Sequence, residues 1–190
     1  MEQRYDLSGS LLHWYDYNKR ILPWRENKDP YRIWISEIML QQTRVEAVKP
    51  YFDRFMEVLP TVYDLAKVDD DRLMKLWEGL GYYNRARNLK AAAQTIVEEY
   101  GGQLPADYDK LLSLKGIGMY TAGAIGSIAF ELQVPAVDGN VLRVLTRLWG
   151  DDSDILKDKT KKAMGRRVME FMPEDLSLIH ISEPTRHSLI

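Results

Sequence analysis

The stretch Leu114-Lys115-Gly116-Ile117-Gly118-Met119-Tyr120-Thr121-Ala122-Gly123 decides the fold. Two glycines flank one apolar residue, between an apolar run (Leu111, Leu112, Leu114) and a run of small residues (Ala122, Gly123, Ala124), which is the pattern of a tight turn joining two helices. Glycine serves such a turn in two ways: it accepts positive φ, and without a Cβ it lets backbone N–H groups approach a partner. At the mouth of a helix those groups suit a phosphate. Taken alone, the glycines favour the plainer reading, an ordinary helix–helix turn without a ligand.

Downstream, Val134-Pro135-Ala136-Val137 is a short extended link, after which Asp138 can N-cap a helix whose apolar face is Val141, Leu142, Val144, Leu145, Leu148 and Trp149, with Arg143 and Arg147 on the polar side. Residues 154–172 read as a further helix with a basic face (Lys157, Lys162, Arg166), either solvated or facing a polyanion. Upstream, apolar spacing predicts a helix over 7–17, broken at Leu22-Pro23-Trp24-Arg25. Asp29-Pro30 then supplies an N-cap and first-turn pair for a helix from Tyr31 to about Gln41. In it Glu37 lies three or four residues from Ile33, Trp34 and Leu40, so its helix neighbours are mostly apolar. Thr43-Arg44-Val45-Glu46 matches a capping box, which predicts a bend at Gln41-Gln42 and a new helix running to Leu59-Pro60. Asp69-Asp70-Asp71 opens another, and Gly79-Leu80-Gly81-Tyr82-Tyr83 interrupts the pattern before a helix over 85–100, with one of its two tyrosines expected to be exposed.

No segment alternates as a strand does, so the fold class is all-α. The 190 residues suffice for one sizeable domain or two lobes sharing a cleft, and 45% hydrophobic with 28% charged residues is ordinary globular composition. A net charge of −2 confines any nucleic-acid surface to a local patch. The absence of cysteine excludes disulfides, thiolate catalysis and a Cys-ligated zinc or iron–sulfur site within these residues, and His13, His180 and His187 have no paired spacing for a metal. The polar start and the lack of a long apolar run predict no membrane span and, by default, a cytoplasmic location.

These blocks, in order over residues 8–175, resemble the helix-hairpin-helix DNA glycosylases, and within them the adenine DNA glycosylases of the MutY type: Leu22 to Arg25, Trp34 to Thr43, Gly79 to Leu89, the hairpin, and Val137 to Arg143. The resemblance implies two helical lobes flanking a cleft, and base-excision repair of double-stranded DNA by a monomer. Its reaction is hydrolysis of the N-glycosidic bond of adenine mispaired with 8-oxoguanine or guanine. It places Glu37, Asp138, Tyr120 and Asn140 in the catalytic group. Arg25, Gln41, Gln42, Thr43, Tyr82, Arg85, Arg87, Gly116, Gly118 and Arg143 are implied as DNA or base contacts.

Such a reaction needs an acid for the leaving base and a negative charge beside an oxocarbenium-like sugar. Apolar neighbours raise the pKa of Glu37 and suit it to the first role, while a helix start favours the carboxylate form of Asp138. By resemblance Glu37 protonates adenine at N7, and Asp138 stabilises the cation or bonds to it transiently. Read as residues alone, Glu37 fits a badly phased surface position as well, and Asp138 a plain N-cap. Relatives of the endonuclease III type carry a lysine where Tyr120 stands, and tyrosine cannot form a Schiff base, which implies hydrolysis by water. Extruding a base leaves a hole that Gln42 and Tyr82 are placed to fill, although Tyr82 also reads as a core residue.

The alternatives are an endonuclease III-like glycosylase and lyase acting on oxidised pyrimidines, or a DNA-binding module without chemistry. Members of the family continue past Asp175 with further helix, four cysteines holding a [4Fe-4S] cluster and a domain that reads 8-oxoguanine. None of these lies in this sequence, so no cofactor is expected to bind here. Residues 1–175 are thus read as the catalytic core. Residues 176–190 lose helical periodicity and read as a disordered, non-family tail, as from a truncated or chimeric reading frame, with weak stability and impaired catalysis expected.

Overall fold

A computed structural model describes residues 7–170. The expected boundary at 175/176 and the tail lie outside them. The described residues form ten α-helices and one 3-10 turn, with no strand: α1 (Leu7–Asn18), the turn Pro23–Arg25, α2 (Pro30–Leu40), α3 (Val45–Val58), α4 (Val62–Lys67), α5 (Asp70–Trp77), α6 (Asn84–Tyr100), α7 (Tyr108–Ser113), α8 (Met119–Phe130), α9 (Gly139–Trp149) and α10 (Asp158–Met169).

The central element is α2. The Asp29 carboxylate accepts from the N–H groups of Tyr31 and Arg32, and Pro30 occupies the first turn, where its missing N–H costs nothing. From Tyr31 to Met39 all but Arg32 are buried, so the helix is covered all round, by α3, α6, α8 and the 3-10 turn. On α8, Ala122, Gly123 and Ala124 allow close approach: a Cβ added to Gly123 would lie 2.2 Å from the carbonyl oxygen of Pro135, so the 134–137 link runs directly over this glycine. That contact sets where Asp138 begins α9.

Four expectations are corrected. Thr43 does not cap α3: the N-cap is Arg44 without a side-chain bond, the Thr43 N–H donates to the Leu40 carbonyl, and Glu46 pairs instead with Lys49 at 2.8 Å. The capping box lies at Thr61–Asp64, opening α4, a six-residue helix that apolar periodicity does not reveal. The bend at Gln41-Gln42 is present, made by a left-handed Gln42 (φ 58°). Tyr82 and Tyr83 are both exposed, where one was expected to be. On α9 only Leu142 of the expected apolar face is fully buried, and Val144 (52%) and Leu148 (54%) face outward. The last helix is also shorter than the expected 154–172 within the described residues, because the Asp154 carboxylate accepts from the Leu156 N–H in a turn ahead of it.

Candidate active site

The hairpin is fixed from below by Leu111, Leu114 and Ile117, all buried, while Lys115, Gly116, Gly118 and Met119 stay exposed. Its two glycines serve different ends. Gly116 is left-handed (φ +82°), and a Cβ there would stand 2.7 Å from Cβ of Asn88. Gly118 is extended (φ −94°, ψ 177°), has open space where a Cβ would be, and forms the N-cap of α8 with no side chain bonded over the helix start. The expectation of positive φ thus holds for Gly116 alone, and Gly118 supplies the bare approach.

Two residues past Gly118, Tyr120 reaches α2. Its phenol is hydrogen bonded to the Glu37 side chain, and burial pushes its own pKa well above the usual tyrosine range. Glu37 is buried among apolar residues, and this desolvation pushes its pKa up to about 7. The Tyr120 hydrogen bond and the charge of Arg25 oppose that rise, and the charge of Asp138 adds to it. These four residues, from the 3-10 turn, α2, α8 and the start of α9, therefore share one electrostatic neighbourhood.

The Asp138 carboxylate is held at both oxygens. Oδ1 accepts from the Val141 N–H at 2.7 Å and Oδ2 from Asn140 Nδ2 at 3.1 Å, so Asp138 is an N-cap as well as a neighbour of Glu37. The guanidinium of Arg25 stands 5.9 Å from the Tyr15 ring. A carboxyl near half-protonation at neutral pH, beside a second carboxylate held at a helix start, can give a proton to a leaving group while the other stabilises positive charge.

The remaining expected contacts fall in two groups. Gln42, Tyr82, Arg87 and Arg143 are exposed; Arg87 bonds to Asn84. Gln41 and Thr43 are half-buried, and Arg85 is not a surface cation: its guanidinium donates to backbone carbonyls at the ends of α2 and of the 79–83 turn. A cavity of about 40 Å³ between Trp34, Gln41, Arg85, Asn88 and Gly116 separates it from the hairpin, room for no more than about three waters. Among the described residues no group of histidines, cysteines or carboxylates is placed to hold a metal ion, and with no thiolate in the chain the iron–sulfur cluster implied by the resemblance does not fit these residues.

An all-helical fold, a glycine hairpin opening a helix, and two carboxylates brought together behind it define a class of base-excision proteins, and the comparison with known families agrees. The model described as HhH-GPD superfamily base excision DNA repair protein matches residues 35–173, and the chain belongs to that superfamily. It is 47% identical over 148 residues to an adenine DNA glycosylase of Rattus norvegicus (73% of this chain, 29% of that protein) and 48% identical over 149 residues to one of Homo sapiens (74% and 27%). It is 45% identical over 157 residues to an adenine DNA glycosylase of Buchnera aphidicola (82% and 45%). The chain thus spans less than half the length of these curated relatives. Among solved structures it resembles a thermostable thymine-DNA glycosylase (TM-score 0.79, 30% identity, 87% of this chain and 76% of the other). It also resembles the protein of a non-covalent endonuclease III–DNA complex (TM-score 0.75, 26% identity, 95% and 83%). No helix among the described residues is long and apolar enough to cross a membrane.

Proposed function

We propose that this chain binds double-stranded DNA and hydrolyses the N-glycosidic bond of adenine mispaired with 8-oxoguanine or guanine. The observation that carries the reading is the buried Glu37, its pKa pushed up to about 7, hydrogen bonded to Tyr120 two residues past the hairpin and close to Asp138. Glu37 gives its proton to N7 of the extruded adenine. The C1′–N9 bond then breaks, its electron pair leaves with the base, and the Asp138 carboxylate stabilises the positive sugar. Water forms the new C1′–O bond, and the proton it sheds returns to Glu37. Tyr120 offers no amine to the sugar, so no Schiff base forms and the strand is not cut. Gly116 and Gly118 present the start of α8 to one backbone phosphate, Arg25 borders the base, and Arg87 and Arg143 face the duplex. The likeness to adenine DNA glycosylases over most of the chain supports this assignment of substrate.

The test is single-turnover adenine release from duplexes carrying A opposite 8-oxoguanine and A opposite G. Glu37→Gln and Asp138→Asn are expected to lower release by about two orders of magnitude or more with duplex binding retained. Duplex binding without adenine release by the unsubstituted protein overturns the reading in favour of a binding module, a covalent adduct trapped by borohydride overturns it in favour of a lyase, and release that survives both substitutions removes Glu37 and Asp138 from the chemistry.

A further inference from the structure

Among the described residues three non-glycine positions have a left-handed backbone: Gln42 (φ 58°), Tyr82 (φ 47°) and Glu131 (φ 55°). Glu131 simply terminates α8. The other two are exposed side chains on separate turns, 40 positions apart, and a left-handed backbone at such residues persists only where the surroundings over-determine it. One side chain touches both turns. Arg85 Nη1 donates to the carbonyls of Ile38 at 2.8 Å, Met39 at 3.0 Å and Gln41 at 2.6 Å, the last being the peptide that enters Gln42. Nη2 donates to the carbonyls of Leu80 at 2.9 Å and Gly81 at 3.3 Å, the last being the peptide that enters Tyr82. The guanidinium also lies 5.4 Å from the Trp77 ring centroid and 5.7 Å from that of Tyr82.

We infer that Arg85 is a positioning residue that locks the Gln42 and Tyr82 backbones into one preset pair of wedges, so that base extrusion depends on it. The inference rests on the reading of the chain as a base-extruding glycosylase. Arginine suits the task because its planar fork addresses carbonyls on two sides at once, whereas the point charge of a lysine ammonium cannot span both turns. The carbonyls at the C-terminal end of α2 also carry negative partial charge, which a cation at that place offsets. Because the same helix carries Glu37 one turn earlier, the clamp fixes the distance between the wedge and the acid.

The experiment is a double-mutant cycle on extrusion. The full chain is titrated onto a duplex with 2-aminopurine as target, whose fluorescence rises when it leaves the stack. The proteins compared are unsubstituted, R85K, the pair Gln42→Ala with Tyr82→Ala, and all three changes together. R85K is expected to lower the extrusion constant by about tenfold, and by much less once the wedges are already removed, because residues acting through one another are not additive. Its effect on affinity for a fully paired duplex, and on the pH midpoint of the cleavage step, is expected to be small; a general loss of packing would move these together. Equal loss with and without the wedges, or no loss in R85K, overturns the inference. Should R85K not fold, hydrogen exchange of the unsubstituted protein answers the same question. The Thr43 amide, bonded to the Leu40 carbonyl, and the Arg85 amide, bonded to that of Tyr82, are expected to open with one common constant, and opening constants differing by more than about tenfold overturn the clamp. Failure of the glycosylase reading is separate: it shows as absent adenine release or as no fluorescence rise in the unsubstituted protein, while the exchange measurement still tests the clamp.

Discussion

The phenol of Tyr120 and the carboxyl of Glu37 are hydrogen bonded across the packing of α8 on α2, which ties the helix that starts at the hairpin to the helix that carries the acid. Since Glu37 has its pKa pushed up to about 7, it is half-protonated near neutrality, and under the proposed reading the rate follows its protonated fraction. Single-turnover adenine release is expected to be flat at lower pH and to fall about tenfold per pH unit above the midpoint. A rate independent of pH between 6 and 9 would remove Glu37 from the role.

The same burial makes Glu37 a liability for folding. Its folded-state pKa is raised above the unfolded value, so its contribution to stability is fully present below the unfolded pKa and is lost as pH rises toward about 7. Glu37→Gln, which keeps the shape of the protonated form, is expected to be nearly neutral at pH 4.5 and to stabilise the chain by up to about 3 kcal/mol at pH 8. Urea unfolding at the two pH values reads the difference. Equal stability of the two proteins at pH 8 would mean that the carboxylate is solvated in the folded state.

The neighbours of Glu37 act on it with opposite signs. The Tyr120 hydrogen bond lowers its pKa and the charge of Asp138 raises it. Tyr120→Phe is therefore expected to move the Glu37 titration to higher pH, and Asp138→Asn to lower pH, read directly from the carboxyl carbon shift of Glu37 so that loss of activity does not obscure the result. Shifts in the same direction would break the assignment of these three residues to one site.

How much of this was legible in the sequence differs from residue to residue, for physical reasons. The capped start of α2 and its apolar surroundings were readable because Asp29-Pro30 and the spacing around Glu37 are local signals. The helix α4 escaped because six residues are too few to show a period, and Thr43-x-x-Glu46 imitates a capping box although the N-cap of α3 falls at Arg44 and Glu46 turns to Lys49. Arg85 was implied only as a DNA contact; its carbonyl partners at 38, 39 and 41 lie on α2 and its C-cap, more than 40 residues away, and only the folded chain brings them to it. The apolar stripe of α9 was correctly periodic, yet periodicity does not say what covers it, and Val144 and Leu148 face outward among the described residues.

The two hairpin glycines separate folding from binding. At Gly116 an alanine meets a φ of +82° and the Cβ of Asn88 at 2.7 Å, a side-chain stem that cannot swing away. Gly116→Ala is thus expected to destabilise the chain by about 2 kcal/mol, from left-handed strain plus displacement of the start of α6. At Gly118 the backbone is extended and the space for a Cβ is open, so Gly118→Ala is expected to change stability by less than about 0.5 kcal/mol. Its methyl group would nevertheless stand where a phosphate must approach the start of α8, and duplex affinity is expected to fall by about tenfold with little change in the rate of the bound complex. Thermal melts and duplex titrations of the two variants decide the matter, because a Gly118→Ala protein that binds duplex as tightly as the unsubstituted chain would leave the hairpin a turn and nothing more.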